Sequence, residues 1–340
     1  MAIYRSIGGP AQSKVACTTP ADVIEAFGGD YANIEVAPGY YDFGSWTAVT
    51  IGSNRRIRFI GDVVFKNANL QTQTKADSDH YDSSASTVTL SGSTFTKSGG
   101  GNFAAASGWE MFVRDQWWTR SSSTTTTFVC NETPQGYGLG SAHDFVLCKP
   151  TKNIVVDGSL TVEIPAADTG TRFCGFYGLA FCDMSRWELR FVDCPANFGS
   201  WGAIVSHCAD SLLPAIEVID YDCSGSFWGA PINLWDSHRC TAYNWRAGNL
   251  QRDDISDQNL LGIQITRCYG CRVVDSCVSG TSRYNSNVGA PFACSYYIDS
   301  GTDYTYISGQ SLAPYSEDGA EYHSLDYGTS NVLNIEQMAA

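Results

Sequence analysis

Gly178-Leu179-Ala180-Phe181, Gly202-Ala203-Ile204-Val205, Ala230-Pro231-Ile232-Asn233-Leu234, Gly262-Ile263-Gln264-Ile265 and Gly289-Ala290-Pro291-Phe292 are short apolar stretches that begin 24, 28, 32 and 27 residues apart. Each is followed by a second: Trp187-Glu188-Leu189-Arg190-Phe191, Ile216-Glu217-Val218-Ile219, Thr241-Ala242-Tyr243-Asn244-Trp245, Cys271-Arg272-Val273-Val274 and Tyr304-Thr305-Tyr306-Ile307. The two series stay in step, and Asn331-Val332-Leu333-Asn334-Ile335 supplies a terminal member. Strands this short cannot bury an apolar face alone. Stacking equivalent units about 4.8 Å apart completes the hydrogen-bond ladders and a continuous core together. Variable spacing is what a solenoid allows, because excess residues pass into loops while the strands stay in register. A fold built from hairpins would need tight-turn pairs such as Asn-Gly between strands, and these are scarce. The pattern predicts an all-β chain wound as a right-handed parallel β-helix. Cys182, Cys208 and Cys268 close successive first strands, and Cys194 and Cys223 close second strands, as small apolar residues stacked inside such a coil would.

Composition agrees. Of 340 residues only 16% are charged, while 33 are Gly, 18 Tyr and 16 Phe, so long amphipathic helices lack their usual ingredients. A formal net charge of −14 repels phosphate backbones and anionic headgroups, which argues against nucleic-acid and membrane-surface partners. It leaves glycans compatible, since aromatic stacking and hydrogen bonds hold sugars without a basic groove. Met1 to Lys14 hold no apolar run, and no stretch approaches a membrane span, so neither an export signal nor membrane insertion is expected. The 13 cysteines, an odd number, are then read as buried thiols in a reducing cytoplasm.

Outward from the repeats, Thr19-Pro20-Ala21-Asp22 reads as a helix start. Thr19 caps, Pro20 takes the first helical position and Asp22 reaches back, giving a short helix from Pro20 to Phe27 that ends at Gly28-Gly29. Strands follow at Asn33–Tyr41 and Arg56–Gly61, with Val63–Phe65 continuing them. The chain is therefore divided into an arm or anchor (1–17), capping helix and first coils (18–65), a loop-rich insertion or small subdomain (66–150) and the main β-helix (151–340).

Several constellations could carry chemistry. If Leu189 and Val218 point inward, then Glu188, Glu217, Thr241 and Arg272 form one outward column, with two carboxylates a strand spacing apart. A retaining glycosidase uses two carboxylates roughly 5 Å apart, and Arg272 would suit a lyase. A solvated ladder is the alternative. Trp109, Trp117 and Trp118, among Glu110, Arg114 and Asp115, form a candidate sugar platform, or else the core of the insertion. Trp235 and Asp236, with Trp228, His238 and Arg239, could line a cleft or pack a loop on the solenoid. No metal or cofactor is expected. Asp253-Asp254-Ile255-Ser256-Asp257 lacks a calcium-loop pattern, Cys268-Tyr269-Gly270-Cys271 has no matching second pair, and Gly136-Tyr137-Gly138-Leu139-Gly140 opens no helical pattern.

The segment from Thr19 to Asp42, with its capping helix and the turn Ala37-Pro38-Gly39-Tyr40-Tyr41, resembles the opening of pectate-lyase-like β-helix proteins. The repeats from Asn153 to Ser308 resemble that superfamily's coils. Within it, the Gly-, Ser-, Thr- and aromatic-rich composition resembles bacteriophage tailspikes. That resemblance implies a homotrimer assembled in the host cytoplasm, a place in the virion held to tail or capsid proteins by the N-terminal arm, and recognition of host-surface polysaccharide, with depolymerase activity left open. The arm is shorter than many tailspike head-binding domains, which keeps a non-enzymatic capsid decoration (cement) spike as an alternative. A free pectate-lyase-like enzyme is the second alternative.

Overall fold

The computed structural model describes residues 15–72, 88–98, 110–113, 116–132, 145–164, 174–192, 201–221, 230–252, 259–283, 292–312, 314–316 and 320–338. Its main body is a single sheet system of twenty strands in which the pairings are parallel and each strand pairs with its equivalent one coil away. Parallel strands joined by crossovers wind right-handed. The result is a right-handed parallel β-helix.

One ladder shows how the coil closes. Val49, Leu70, Cys174, Ala203, Ile232, Ile263 and Tyr296 lie directly above one another, all buried. From Cys174 onward the register advances by 29, 29, 31 and 33 residues per coil. Ordering the backbone of a 29-residue coil costs roughly 30–60 kcal/mol. Its handful of inward side chains return only about 1.5–3 kcal/mol each on burial. A lone coil therefore cannot stand, and the core is continuous from Cys17 to Ile307 because each coil's inward face is completed by its neighbours. Phe59 and Phe176 meet Trp187 inside, at ring separations of 5.8 and 5.5 Å.

The helix Pro20–Gly28 caps the N-terminal end with the predicted box: Asp22 N–H donates to Thr19 Oγ1 (3.2 Å), and Thr19 N–H donates to the Asp22 carboxylate (2.9 Å). It runs one residue beyond the expected end. Its last carbonyls are closed by a group that periodicity gave no hint of. The buried Arg55 guanidinium donates to Ala26, Phe27 and Gly29 O, and Gly52 makes room for it, since a Cβ there would sit 2.4 Å from Arg55 Nη2.

The register of the repeats differs from the sequence reading in two ways. Gly178 follows the strand Cys174–Tyr177 rather than leading it, because Cys174, not Gly178, pairs with Ala203. The second series also mixes two ladders of the same coil. Leu189 pairs with Ile216, whereas Thr241 and Arg272 belong with Leu212 and Tyr306 on another face. Each coil carries more than two strand faces, and a two-beat pattern cannot tell the later ones apart.

The strand Val63–Gln71 crosses the boundary drawn at residues 65 and 66. After it the chain leaves the solenoid and forms a separate six-stranded antiparallel sheet, whose strand order is Phe145–Cys148, Glu110–Val113, Gln116–Ser123, Thr127–Cys130, Thr94–Lys97 and Val88–Ser91. Val88, Phe95, Met111, Val113, Trp118, Phe128 and Cys130 give this sheet its own core. The chain re-enters the solenoid at Thr151, whose hydroxyl donates to Thr72 O (2.8 Å).

Candidate functional site

The insert seats on one corner of the solenoid, and that corner carries the site. Three neighbouring positions in each coil build it. The first stacks Lys152, Ala180, Ala209, His238, Tyr269, Asp303 and Thr329. The next stacks Phe181, Asp210, Arg239, Gly270, Tyr304 and Ser330, every one in the left-handed region, with φ between 49° and 62°. The third points inward, stacking Cys182, Ser211, Cys240 and Cys271. Beyond it the chain turns outward again at Asp183, Leu212, Thr241, Arg272, Tyr306 and Val332.

A left-handed turn at Phe, Arg or Tyr is disfavoured. Here coil-to-coil bonds hold it: Phe181, Asp210, Arg239, Gly270 and Tyr304 N–H donate to Ala209, His238, Tyr269, Asp303 and Thr329 O. The turn throws the side chain outward. Phe181 and Tyr304 are consequently 60% exposed, and Tyr269 beside them is 44% exposed.

The insert strand Glu110–Val113 covers the first half of this corner. Lys152 Nζ donates to both Glu110 carboxylate oxygens at 2.6 Å, and Ala180 and Ala209 are buried. Phe112 packs on His238 at 5.1 Å and on Trp117 at 5.0 Å. The ring contacts then continue along the solenoid axis, His238 to Tyr269 at 6.1 Å and Tyr269 to Tyr304 at 5.3 Å. Five rings thus form one line that begins under the insert and emerges at Tyr269 and Tyr304. Ion pairs between coils brace it. Arg239 forks onto Asp210 (2.7 and 2.8 Å), and Arg267 forks onto Asp236 (2.7 and 2.7 Å) while lying over the Trp235 ring at 5.2 Å. His207 Nε2 stands 3.3 Å from the same Asp236.

The expected site residues fall unevenly around this line. Trp235 and Asp236 are brought together with His207 and Arg267 at its flank. Trp117 and Trp118 are only 8% and 1% exposed and serve the insert's packing, so their faces are closed to a sugar; Trp109 lies outside the described residues. Trp228, the acidic run 253–257 and the glycine run 136–140 also lie outside them, as do Cys194 and Cys223.

The single outward column of Glu188, Glu217 and Arg272 does not form. Leu189 and Val218 do point inward, but Glu188 pairs in register with Ala215, and Glu217 with Arg190. The two residues are one strand and two positions apart, a diagonal of about 8 Å between backbones. Each has another partner: Ser159 Oγ donates to Glu188 (2.8 Å), and Arg190 Nε stands 3.0 Å from Glu217. Arg272 stands on the ring-bearing corner instead, its guanidinium 5.6 Å from the centre of the Tyr306 ring.

The cysteines whose side chains are described are free thiols, and all but Cys277 are buried. Burial pushes the Cys182 thiol up to about 11 and raises Cys208 further. Cys182 and Cys208 sit in adjacent columns, where Ser211 and Ser237 hydroxyls accept their backbone N–H groups at 3.2 Å. Among the described residues no group of three or more metal-ligating side chains converges, and no helix is long and apolar enough to cross a membrane.

Tyr269, Tyr304, Tyr306 and Phe112 escaped the sequence reading as site residues. Tyr269 and Tyr304 occupy adjacent, not equivalent, coil positions, so no fixed period joins them. Their signal was the recurrence of an aromatic residue at a turn one coil later.

Fold and site together define a parallel β-helix that carries an inserted sheet and a solvent-facing line of aromatic rings along one corner. No protein-family model matches the chain, and no curated protein matches it. Among solved structures it is similar to the tailspike gp61 of Pseudomonas phage phi297, at 12% identity and a TM-score of 0.36, over 94% of this chain and 68% of that one. The Gp54 tailspike of Acinetobacter baumannii bacteriophage AP22, in complex with A. baumannii capsular saccharide, aligns at 9% identity and a TM-score of 0.29. That alignment covers 90% of this chain and 61% of the tailspike. PfbA, a surface adhesin of Streptococcus pneumoniae, aligns at 12% identity and a TM-score of 0.36, over 94% of this chain and 75% of PfbA.

Proposed function

We propose that this chain is a tailspike-type spike that binds host-surface polysaccharide along the corner line, with Tyr269 and Tyr304 as the stacking faces. The observation that carries the reading is the emergence of these two exposed rings from a braced, five-ring line. Exposed tyrosines held by neighbouring rings present flat apolar faces at little entropic cost, and their hydroxyls supply hydrogen bonds to sugar oxygens. Placement in a virion, as a homotrimer joined to tail or capsid proteins through residues 1–17 and assembled in the host cytoplasm, follows from the sequence resemblance given above.

The reading is one of binding: Glu188 and Glu217 stand diagonally and each holds another partner, and cleavage is decided by the same experiment. The test is co-elution of purified protein with host-surface polysaccharide on size exclusion with light scattering, followed by absorbance near 235 nm. A complex with full-length glycan, weakened at least tenfold in Tyr269→Ala/Tyr304→Ala and unaltered in Glu188→Gln/Glu217→Gln, is expected. The same run should give about three times the 36.9 kDa chain mass. Shortened glycan would replace binding by depolymerisation, and a wild-type protein that ignores the glycan would shift the assignment to a decoration spike.

A further inference from the structure

The described arginines are not all partnered alike. Arg56, Arg190, Arg239 and Arg267 each have a carboxylate within 3.0 Å, on Asp157, Glu217, Asp210 and Asp236. Arg55 is committed to helix carbonyls. Arg272 meets the Tyr306 ring, and no carboxylate among the described residues pairs with it. Its neighbours in its own outward column, Thr241 and Tyr306, are uncharged. On the column of Tyr269, Asp303 accepts the Thr329 N–H (2.9 Å).

A guanidinium lying over a ring uses its face for that contact and keeps its edge of N–H donors free for a planar two-oxygen acceptor. Arg272 lies three residues past Tyr269, and Tyr306 two past Tyr304, so cation and stacking faces share consecutive coils of one corner. On a chain of net charge −14, long-range attraction of an anion is absent, and recognition of one must come from a local cation.

We propose that Arg272 binds the carboxylate of an acidic sugar whose ring stacks on Tyr269 or Tyr304, so that the corner selects uronate-type units within the glycan. This rests on the corner being the glycan site. A charge-assisted, two-pronged contact of this kind supports roughly tenfold discrimination.

The experiment is calorimetric titration with a glucuronate-containing hyaluronan oligosaccharide and with the same oligosaccharide after carboxyl reduction. Wild-type protein should bind the acidic form about tenfold more tightly, with the preference shrinking as salt rises. Arg272→Gln should bind both forms equally, at the wild-type affinity for the reduced one, and Arg272→Lys should recover part of the preference. Equal binding by wild type, or a preference that survives in Arg272→Gln, overturns the assignment while leaving glycan binding intact. Binding of the reduced form alone does the same. If neither form binds, the uronate assignment fails, and the host-polysaccharide run decides separately whether the corner is a glycan site.

Discussion

At the residue scale, the most informative side chains are those that solve a backbone problem. Asp22 accepts from Thr18 N–H (3.0 Å) and Thr19 N–H (2.9 Å) at the start of the capping helix. The Thr18 backbone bond, followed by the bonds to Thr19, holds its carboxyl below the usual carboxylate range. A depressed carboxyl stabilises the fold fully above its unfolded value, about 3.9, and that contribution is lost as pH falls through the lower folded value. Asp22→Asn should therefore lower the melting temperature at pH 7 and flatten its decline between pH 5 and pH 2. A melt series with an unchanged acid slope would refute this. Thr19, Pro20 and Asp22 were legible because a capping box is local. Arg55 was not, since the carbonyls it satisfies lie 26 to 29 residues away and meet it only when the helix closes the coil.

At the scale of elements, strand type was readable and pairing partner was not. Val, Ile, Tyr and Thr at alternating positions mark strands, and inward Leu189 and Val218 were assigned correctly. Yet Glu188 and Glu217 stand two residues out of register, because the strand Asp183–Val192 runs through two of the coil's ladders without a break. Nothing in the local pattern records that Asp183 pairs with Leu212 while Leu189 pairs with Ile216. The insert presents the same lesson. Trp117 and Trp118 read as sugar platform or as core of the insert; Trp118 joins the insert's core, and Trp117 packs on Phe112. The insert holds the corner through Phe112 and the Glu110–Lys152 pair, so Phe112→Ala should cost about 3 kcal/mol. The expected outcome in urea is a separate early transition reporting the insert, ahead of the solenoid. A single transition as in wild type would mean that the sheet is held elsewhere.

At the scale of the whole molecule, stability is a sum over neighbouring coils, and the two ends differ. The N-terminal coil is closed by the helix Pro20–Gly28, with Val23, Ala26 and Phe27 buried against it. The strand Val332–Met338 pairs with Tyr306–Leu312 on one side, and its inward Leu333 and Ile335 are only partly buried. Amide exchange should accordingly be slowest in strands such as Ala230–Trp235 and Leu260–Thr266, and fastest in Val332–Met338. Uniform protection to the last strand would show that another surface covers that end.

The sequence by itself determined that this chain must stack. Its strands are too short to bury a face singly, its charged content too low for surface helices, and its apolar residues recur at coil-like intervals. It also determined the capping helix, through residues three apart. Tertiary structure alone decided which outward side chains become neighbours. Stacking converts a separation of about thirty residues into one strand spacing, so a shift of one or two residues in loop length moves a side chain to another column. That is why Glu188 and Glu217 part, and why Tyr269, Tyr304 and Arg272 meet.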